Sequence, residues 1–275
     1  MKPILTALLT FAVFTASAQK HRLTPVWETD TVLKTPESVL PDLKNGILYV
    51  SLIDGEPWGK DEKGGIAKLD LNGKITDASW VTGLNAPKGM GLHNGKLYAA
   101  DLNQVVVINT KTGKVEMKLT IEGAEKLNDI TVDDQGAVYI SDSGTGKVFL
   151  FENGRASLYM DNLKGVNGLK AIGSDLYIMA GPVLYKSGKS KQKIKVADGF
   201  ALGGDGLEPV GNGDFIVSCW GGLIYYVKAD GKIELMIDSR EKKINTADIG
   251  YNPDARIVYV PTFFKNTVAA YKLEQ

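Results

Sequence analysis

The chain has 275 residues, 44% hydrophobic and 23% charged, and its 32 Lys and Arg balance its 32 Asp and Glu. That balance leaves no overall basic bias to point to nucleic acid, no long run of charge suggests a tail, and the composition is ordinary for a globular protein. A single cysteine, Cys219, excludes an intramolecular disulfide framework, so stability must come from the core.

In chain order, the first element is "MKPILTALLTFAVFTASAQK". Lys2, an apolar run from Ile4 to Phe14 and the small residues Ala16-Ser17-Ala18 predict a secretory signal peptide over 1–18, cut after Ala18. The run is too short to span a bilayer. The sequence thereby predicts an exported protein, periplasmic or secreted, with no membrane span and one mature domain over 19–275. Cys219 lies in the apolar run "DFIVSCWGG" and reads as a buried, inert thiol rather than a nucleophile.

Beyond the leader, helical periodicity is absent. Short alternating runs are bounded by Asn45-Gly46, Asn72-Gly73, Asn94-Gly95, Asn153-Gly154, Asn212-Gly213 and Asp230-Gly231. Such pairs suit tight hairpins. One phrase recurs: "GILYVS", "GKLYAA", "GAVYIS", "SDLYIM", "GDFIVS" and "RIVYVP". Its aromatics are Tyr49, Tyr98, Tyr139, Tyr177, Phe215 and Tyr259, separated by 49, 41, 38, 38 and 44 residues. A period near forty residues predicts an all-β, six-bladed β-propeller of four-stranded antiparallel blades. The long first interval holds "DGEPWGKDEKGG", which reads as an extended loop able to form a rim or lid through Trp58. The strand-like "HRLTPVWETDTVL" ahead of the first repeat is expected to complete the last blade and close the ring.

Ten to twelve residues before each aromatic stands a charged or amide residue: Glu37, Lys88, Asn128, Asn167, Asp205 and Asp248. The first strand of a propeller blade lines the central channel, so these six residues are expected to form a ring. Two carboxylates about 4 Å apart repel by about 4 kcal/mol at an effective dielectric near 20, and a cation would offset that. An oxygen-only donor set suits a hard ion, Ca²⁺ first, then Mg²⁺ or Mn²⁺, with Zn²⁺ lower. The competing reading is a ring of polar residues bonded to backbone and water, with Lys88 neutralising a carboxylate or pairing with Asp248.

Asn128-Asp129 followed by "GAVYISD", "NGL" at Asn167 to Leu169, "DGL" at Asp205 to Leu207 and Glu37 at the first blade carry a resemblance. The chain resembles the gluconolactonase and senescence marker protein (regucalcin) family of six-bladed propellers, within the wider strictosidine synthase-like and paraoxonase group. The resemblance implies one divalent cation held by Glu37, Asn167 and Asp205, with Asn128 beside it, and a substrate-holding role for Lys126, where the family often has Arg. Departures are visible: the first motif is "PESVL", and no histidine stands where the paraoxonase group uses one. His21 and His93 read as surface residues.

The expected function is therefore that of an exported metal-dependent hydrolase of a lactone or related ester, with Asp205 as ligand and general base and Lys126 holding substrate. The alternative is a non-catalytic propeller that binds a ligand or protein partner, its ion or polar ring purely structural. A monomer with a small-molecule partner at the channel mouth, and no nucleic-acid partner, completes the reading.

Overall fold

The computed structural model describes residues 21–275; the expected signal peptide lies outside the described residues. Within them, six four-stranded antiparallel sheets follow one another around a ring. Blades 1 to 5 each run in simple sequence order from the channel outward. Their inner strands are Pro36–Asp42, Pro87–His93, Leu127–Val132, Val166–Ile172 and Leu207–Gly211. Blade 6 begins with Gly250–Asn252, and its outermost strand is the N-terminal Arg22–Glu28, paired with Val268–Glu274. The ring is thus closed by a strand from the other end of the chain, as the sequence led one to expect.

The aromatic of each repeat lies on the second strand of its blade. Asn94-Gly95 and Asn212-Gly213 take positive φ at both residues, the conformation that matches hairpin twist.

Six buried clusters hold the ring, one at each blade interface. Tyr49 and Ile66 of blade 1 pack with Met90 and Val106 of blade 2. Val39 and Leu48 of blade 1 meet Tyr259 and Ala270 of blade 6 at the closure. Cys219, fully buried, belongs to the interface of blades 4 and 5. Each blade alone would expose both faces, so the stabilisation from apolar burial, about 25 cal/mol per Å², appears only once neighbours stack. The only helix among the described residues is a 3₁₀ turn, Phe263–Lys265, and no described helix is long and apolar enough to cross a membrane.

Candidate functional site at the channel mouth

The polar residues that begin the inner strands sit where the strand ladder is interrupted. Register shifts fall between Pro36 and Ser38, Pro87 and Met90, Leu127 and Ile130, and Val166 and Leu169. Glu37, Lys88, Asn128 and Asn167 therefore lie in β-bulges, which re-aim a side chain and leave backbone groups to be satisfied by other means. Serine supplies the means in alternate blades. The hydroxyls of Ser51, Ser141 and Ser218 accept the backbone N–H groups of Ser38, Asp129 and Gly206, the residues that follow three ring positions. Glycine supplies the space: a Cβ on Gly89 would strike Asp129, and one on Gly168 would strike the carbonyl of Asp205.

Four of the six predicted residues lie in these bulges, and contacts between blades link members of the set. Glu37, Lys88, Asp205 and Asn128 are buried, and Asp248 and Asn167 are partly so. Asn167 Nδ2 donates to Asp205 Oδ1 at 2.5 Å, linking blades 4 and 5. Asn128 Nδ2 donates to Ser143 Oγ at 3.0 Å, and that hydroxyl donates to the carbonyl of Val166. Ser38 Oγ donates to Asp248 Oδ2 at 2.5 Å, while backbone bonds between Asp248 and both Glu37 and Val39 tie blade 6 to blade 1.

Burial dominates the electrostatics. It pushes the Glu37 carboxyl well above its usual range; the Lys88 charge opposes this, and the nearby Asp205 and Asp248 add to it. Burial likewise raises Asp205 to about 7, against the bond from Asn167 and the charge of Lys88. Asp248 is raised to about 8, again by burial, with Ser38 opposing and Asp205 contributing. Lys88 is pulled below the ordinary lysine range by burial, which outweighs its acidic neighbours. Glu37 Oε2 is buried and has no hydrogen-bond partner. Orphaned buried acceptors of this kind are costly and rare.

Lys88 and Asp248 do not pair directly. Asp248 is held by Ser38, and the Lys88 ammonium lies over the Trp58 ring, 4.3 Å from its centroid. Lys126 approaches the same ring at 5.6 Å. The extended loop of blade 1 therefore does reach the channel mouth. Lys126 is exposed, and its backbone N–H is held at 2.9 Å by Asp142, the last residue of "GAVYISD". Asp142 also accepts bonds from Glu125, Gly144 and Thr145, which keep its carboxyl below the usual range despite burial. The aspartate of that motif positions Lys126; it does not face the ring.

His21 departs from the sequence expectation. It is buried rather than at the surface, because it stacks on Tyr226 at 3.5 Å and bonds Glu234 through both its backbone N–H and Nδ1. His93 bonds Asn94 in its turn. Neither histidine lies at the ring.

Two further features escaped the sequence reading. Asp129, beside Asn128, accepts the N–H groups of Ile130 and of Leu169 in the next blade, both at 2.6 Å, so it is a strut between blades. Deeper in the channel, Lys170 and Glu208 form an ion pair of 2.7 Å. Burial works against the Lys170 charge, but Glu208 outweighs it and holds Lys170 above its ordinary value. Both stand three residues after a ring position, Asn167 and Asp205. In a regular strand a spacing of three changes face; across a bulge it returns to the same face. That spacing is the signal by which sequence alone would have found them.

A hard divalent cation fits this donor set. Glu37 offers an unpartnered oxygen, Asp205 a second carboxylate, and Asn167 and Asn128 commit their amide nitrogens elsewhere and keep their oxygens as acceptors. The set mixes two carboxylates with amides; among the described residues no three His, Cys, Asp or Glu side chains gather in a metal-binding cluster.

No family model and no curated protein matches the sequence. Solved structures do. The fold is similar to a catalytically inactive histidine-to-alanine form of virginiamycin B lyase from Staphylococcus aureus with quinupristin, at a TM-score of 0.63 and 13% identity, covering 93% of this chain and 99% of that one. It is also similar to a streptogramin B lyase structure, at a TM-score of 0.65 and 12% identity, covering 93% and 98%. The six-bladed propeller is shared with these lyases. At such identity the likeness concerns the fold alone.

Proposed function

We propose that the protein is an exported propeller enzyme that hydrolyses a lactone or related ester at the channel mouth, with one divalent cation held by Glu37, Asn167 and Asp205 and flanked by Asn128. The observation that carries this reading is the unpartnered, buried Oε2 of Glu37 beside Asp205. Among the described residues two buried side-chain oxygens lack a partner, Asn85 Oδ1 and Glu37 Oε2, and only that of Glu37 belongs to a ring residue and to a carboxyl group. A hard cation there, Ca²⁺ ahead of Mg²⁺, Mn²⁺ and Zn²⁺, would supply carbonyl polarisation and a bound water of lowered pKa.

The chain's own residues supply the remainder. Without a cation, burial raises Asp205 to about 7; a cation held there would favour its charged form, the form that takes a proton from a bound water. Asn167 orients Asp205 through the 2.5 Å bond. Lys126, exposed at the rim and fixed by Asp142, receives an anionic or hydroxyl group of the substrate. Trp58 covers the Lys88 ammonium from the rim. The structural neighbours being lyases supports an enzymatic propeller in general terms.

One observation favours the second reading, a non-catalytic propeller. Lys88 already brings a positive charge to the carboxylates, and no described histidine faces them. The two readings separate in one experiment. Purified mature protein is assayed on a panel of lactones and aryl esters with each of the four ions. Turnover that Asp205→Asn reduces at least about 100-fold, with the fold intact by circular dichroism, supports the hydrolase. No turnover on any panel member, with a chelator lowering only the melting temperature, supports the structural ring.

A further inference from the structure

Besides the lysine side already described, the mouth of the channel carries an aromatic surface that the ring chemistry does not use. On the side of blades 5 and 6, Trp220, Phe263 and Phe264 form an edge-to-face cluster. Phe263 and Phe264 lie 4.8 Å apart at 90°, Trp220 and Phe263 5.4 Å apart at 84°, and Trp220 and Phe264 6.0 Å apart at 79°. Trp220 is 43% exposed and Phe264 63%. Exposed apolar residues elsewhere, such as Leu158, Ile194 and Leu235, sit singly on outer strands. Scattered residues of that sort are ordinary; two large adjoining aromatics in water are not.

This cluster is tied to the ring. Phe263 is buried with φ at 51°, a conformation that a bulky residue adopts only when its surroundings impose it. It packs with Ile53, Ala86 and Ala247. Ile53 begins the loop that carries Trp58, Ala86 precedes Lys88 by two residues, and Ala247 precedes Asp248. The carbonyl of Trp220 accepts bonds from Asn245 and Thr246, on the segment that delivers Asp248 to the ring. Across the mouth, on the side of blades 1 to 3, Trp58 lies against Lys88 and Lys126, and of these two lysines only Lys126 is exposed.

We infer that the mouth takes an amphipathic anion. Its ligand is a small molecule with an aromatic or branched apolar body that rests on Trp220 and Phe264, and a carboxylate or similar anionic group that Lys126 receives beside Trp58. This rests on the reading above in placing the substrate at the channel mouth, and it narrows the substrate class. A neutral lactone offers Lys126 at most a hydroxyl and leaves its charge unanswered, and a small polar one leaves the aromatic pair in water. The lysine and the aromatics together select a molecule that is apolar at one end and charged at the other.

The test is a binding titration of the mature protein without turnover, in the presence of chelator. The probes are 8-anilinonaphthalene-1-sulfonate, an aromatic body with an anionic group, and N-phenyl-1-naphthylamine, the matched neutral body. Saturable binding of the sulfonate at one site is expected. Phe264→Ala, at a largely exposed position, should weaken both probes by about five- to tenfold. Lys126→Gln should weaken the sulfonate by about fivefold and leave the neutral probe unchanged. Ile194→Ala, on an outer strand, should change neither. Absence of saturable binding, equal loss in Ile194→Ala, or indifference of the sulfonate to Lys126→Gln overturns the inference. Turnover of neutral lactones without sulfonate binding would overturn it and leave the hydrolase standing; sulfonate binding with these variant effects and no turnover would do the reverse.

Discussion

Glu37 and Glu234 are the same residue type in opposite circumstances. Glu37 stands in the channel with one oxygen lacking any partner, and burial drives its carboxyl well above the usual range. Glu234 stands at the closure seam on the outer strand of blade 5. Burial pushes it up too, but bonds from Lys228 at 2.5 Å and from His21 outweigh this and hold it down at about 2. The closure seam is a finished structure in which each charge has been answered. The channel is unfinished: Glu37 Oε2 is the one carboxylate oxygen among the buried, unpartnered side-chain atoms of the described residues, the other such atom being the amide Oδ1 of Asn85, and a carboxylate left so is where a ligand belongs. The contrast teaches that pairing, more than depth, separates a structural carboxylate from a functional one.

The strongest way to break the comparison is Glu37→Gln. If the orphaned oxygen holds a cation, this variant should lose the ion measured per chain by elemental analysis, lose the melting-temperature rise that added Ca²⁺ gives the parent, and lose turnover by at least about 100-fold. An unchanged ion content would remove Glu37 from the site.

Next in size is the pH dependence of the chelated protein. Asp205 and Asp248 rise from ordinary aspartate values to about 7 and about 8 in the folded state, so between pH 4 and 8 the folded chain binds more protons than the unfolded one. Their contribution is therefore fully present below pH 4 and lost as pH rises through 7 to 8. Melting in chelator should fall by roughly 5–10 °C from pH 5 to pH 8, corresponding to about 2–3 kcal/mol, and added cation should flatten the slope. A melting temperature that rises over this window would contradict the assignment.

Glu234→Gln sharpens the other side. Glu234 is depressed, so its contribution is present above the unfolded value near 4.5 and fades as pH falls towards 2. Solvent at the seam limits it to about 1 kcal/mol, or roughly 2–4 °C of melting temperature, with earlier proteolysis of the N-terminal strand as a second readout. The parent and the variant should converge near pH 2.

The smallest expected effect concerns Cys219. Burial pushes its thiol up to about 12, so a thiol reagent should leave the native protein unmodified and react only on unfolding. Modification of the native state would place the sulfur nearer the mouth than Leu202 O, its hydrogen-bond acceptor.

Much of the ring was legible before any coordinates. Turn pairs, the forty-residue aromatic phrase and the polar residue ahead of it are local signals that each blade repeats, so six weak copies reinforce one another. The site was legible only in part. Lys170, the partner of Glu208, was hidden because a bulge breaks the alternation of two on which strand reading depends. Asp129 directly follows Asn128, yet its carboxylate is taken up by the backbone of blade 4. His21, read as a surface residue, is buried by Tyr226, which lies 205 positions along the chain.

By itself, then, the sequence determined the blade count and the closing strand, because strand periodicity and turn chemistry are properties of near neighbours. Only the tertiary structure decided which of the polar residues ahead of each repeat are answered and which are left wanting. Partners such as Trp58 for Lys88, Ser38 for Asp248, and none for Glu37 Oε2 arise from contacts between blades, where burial sets the cost of a charge and distance along the chain carries no information.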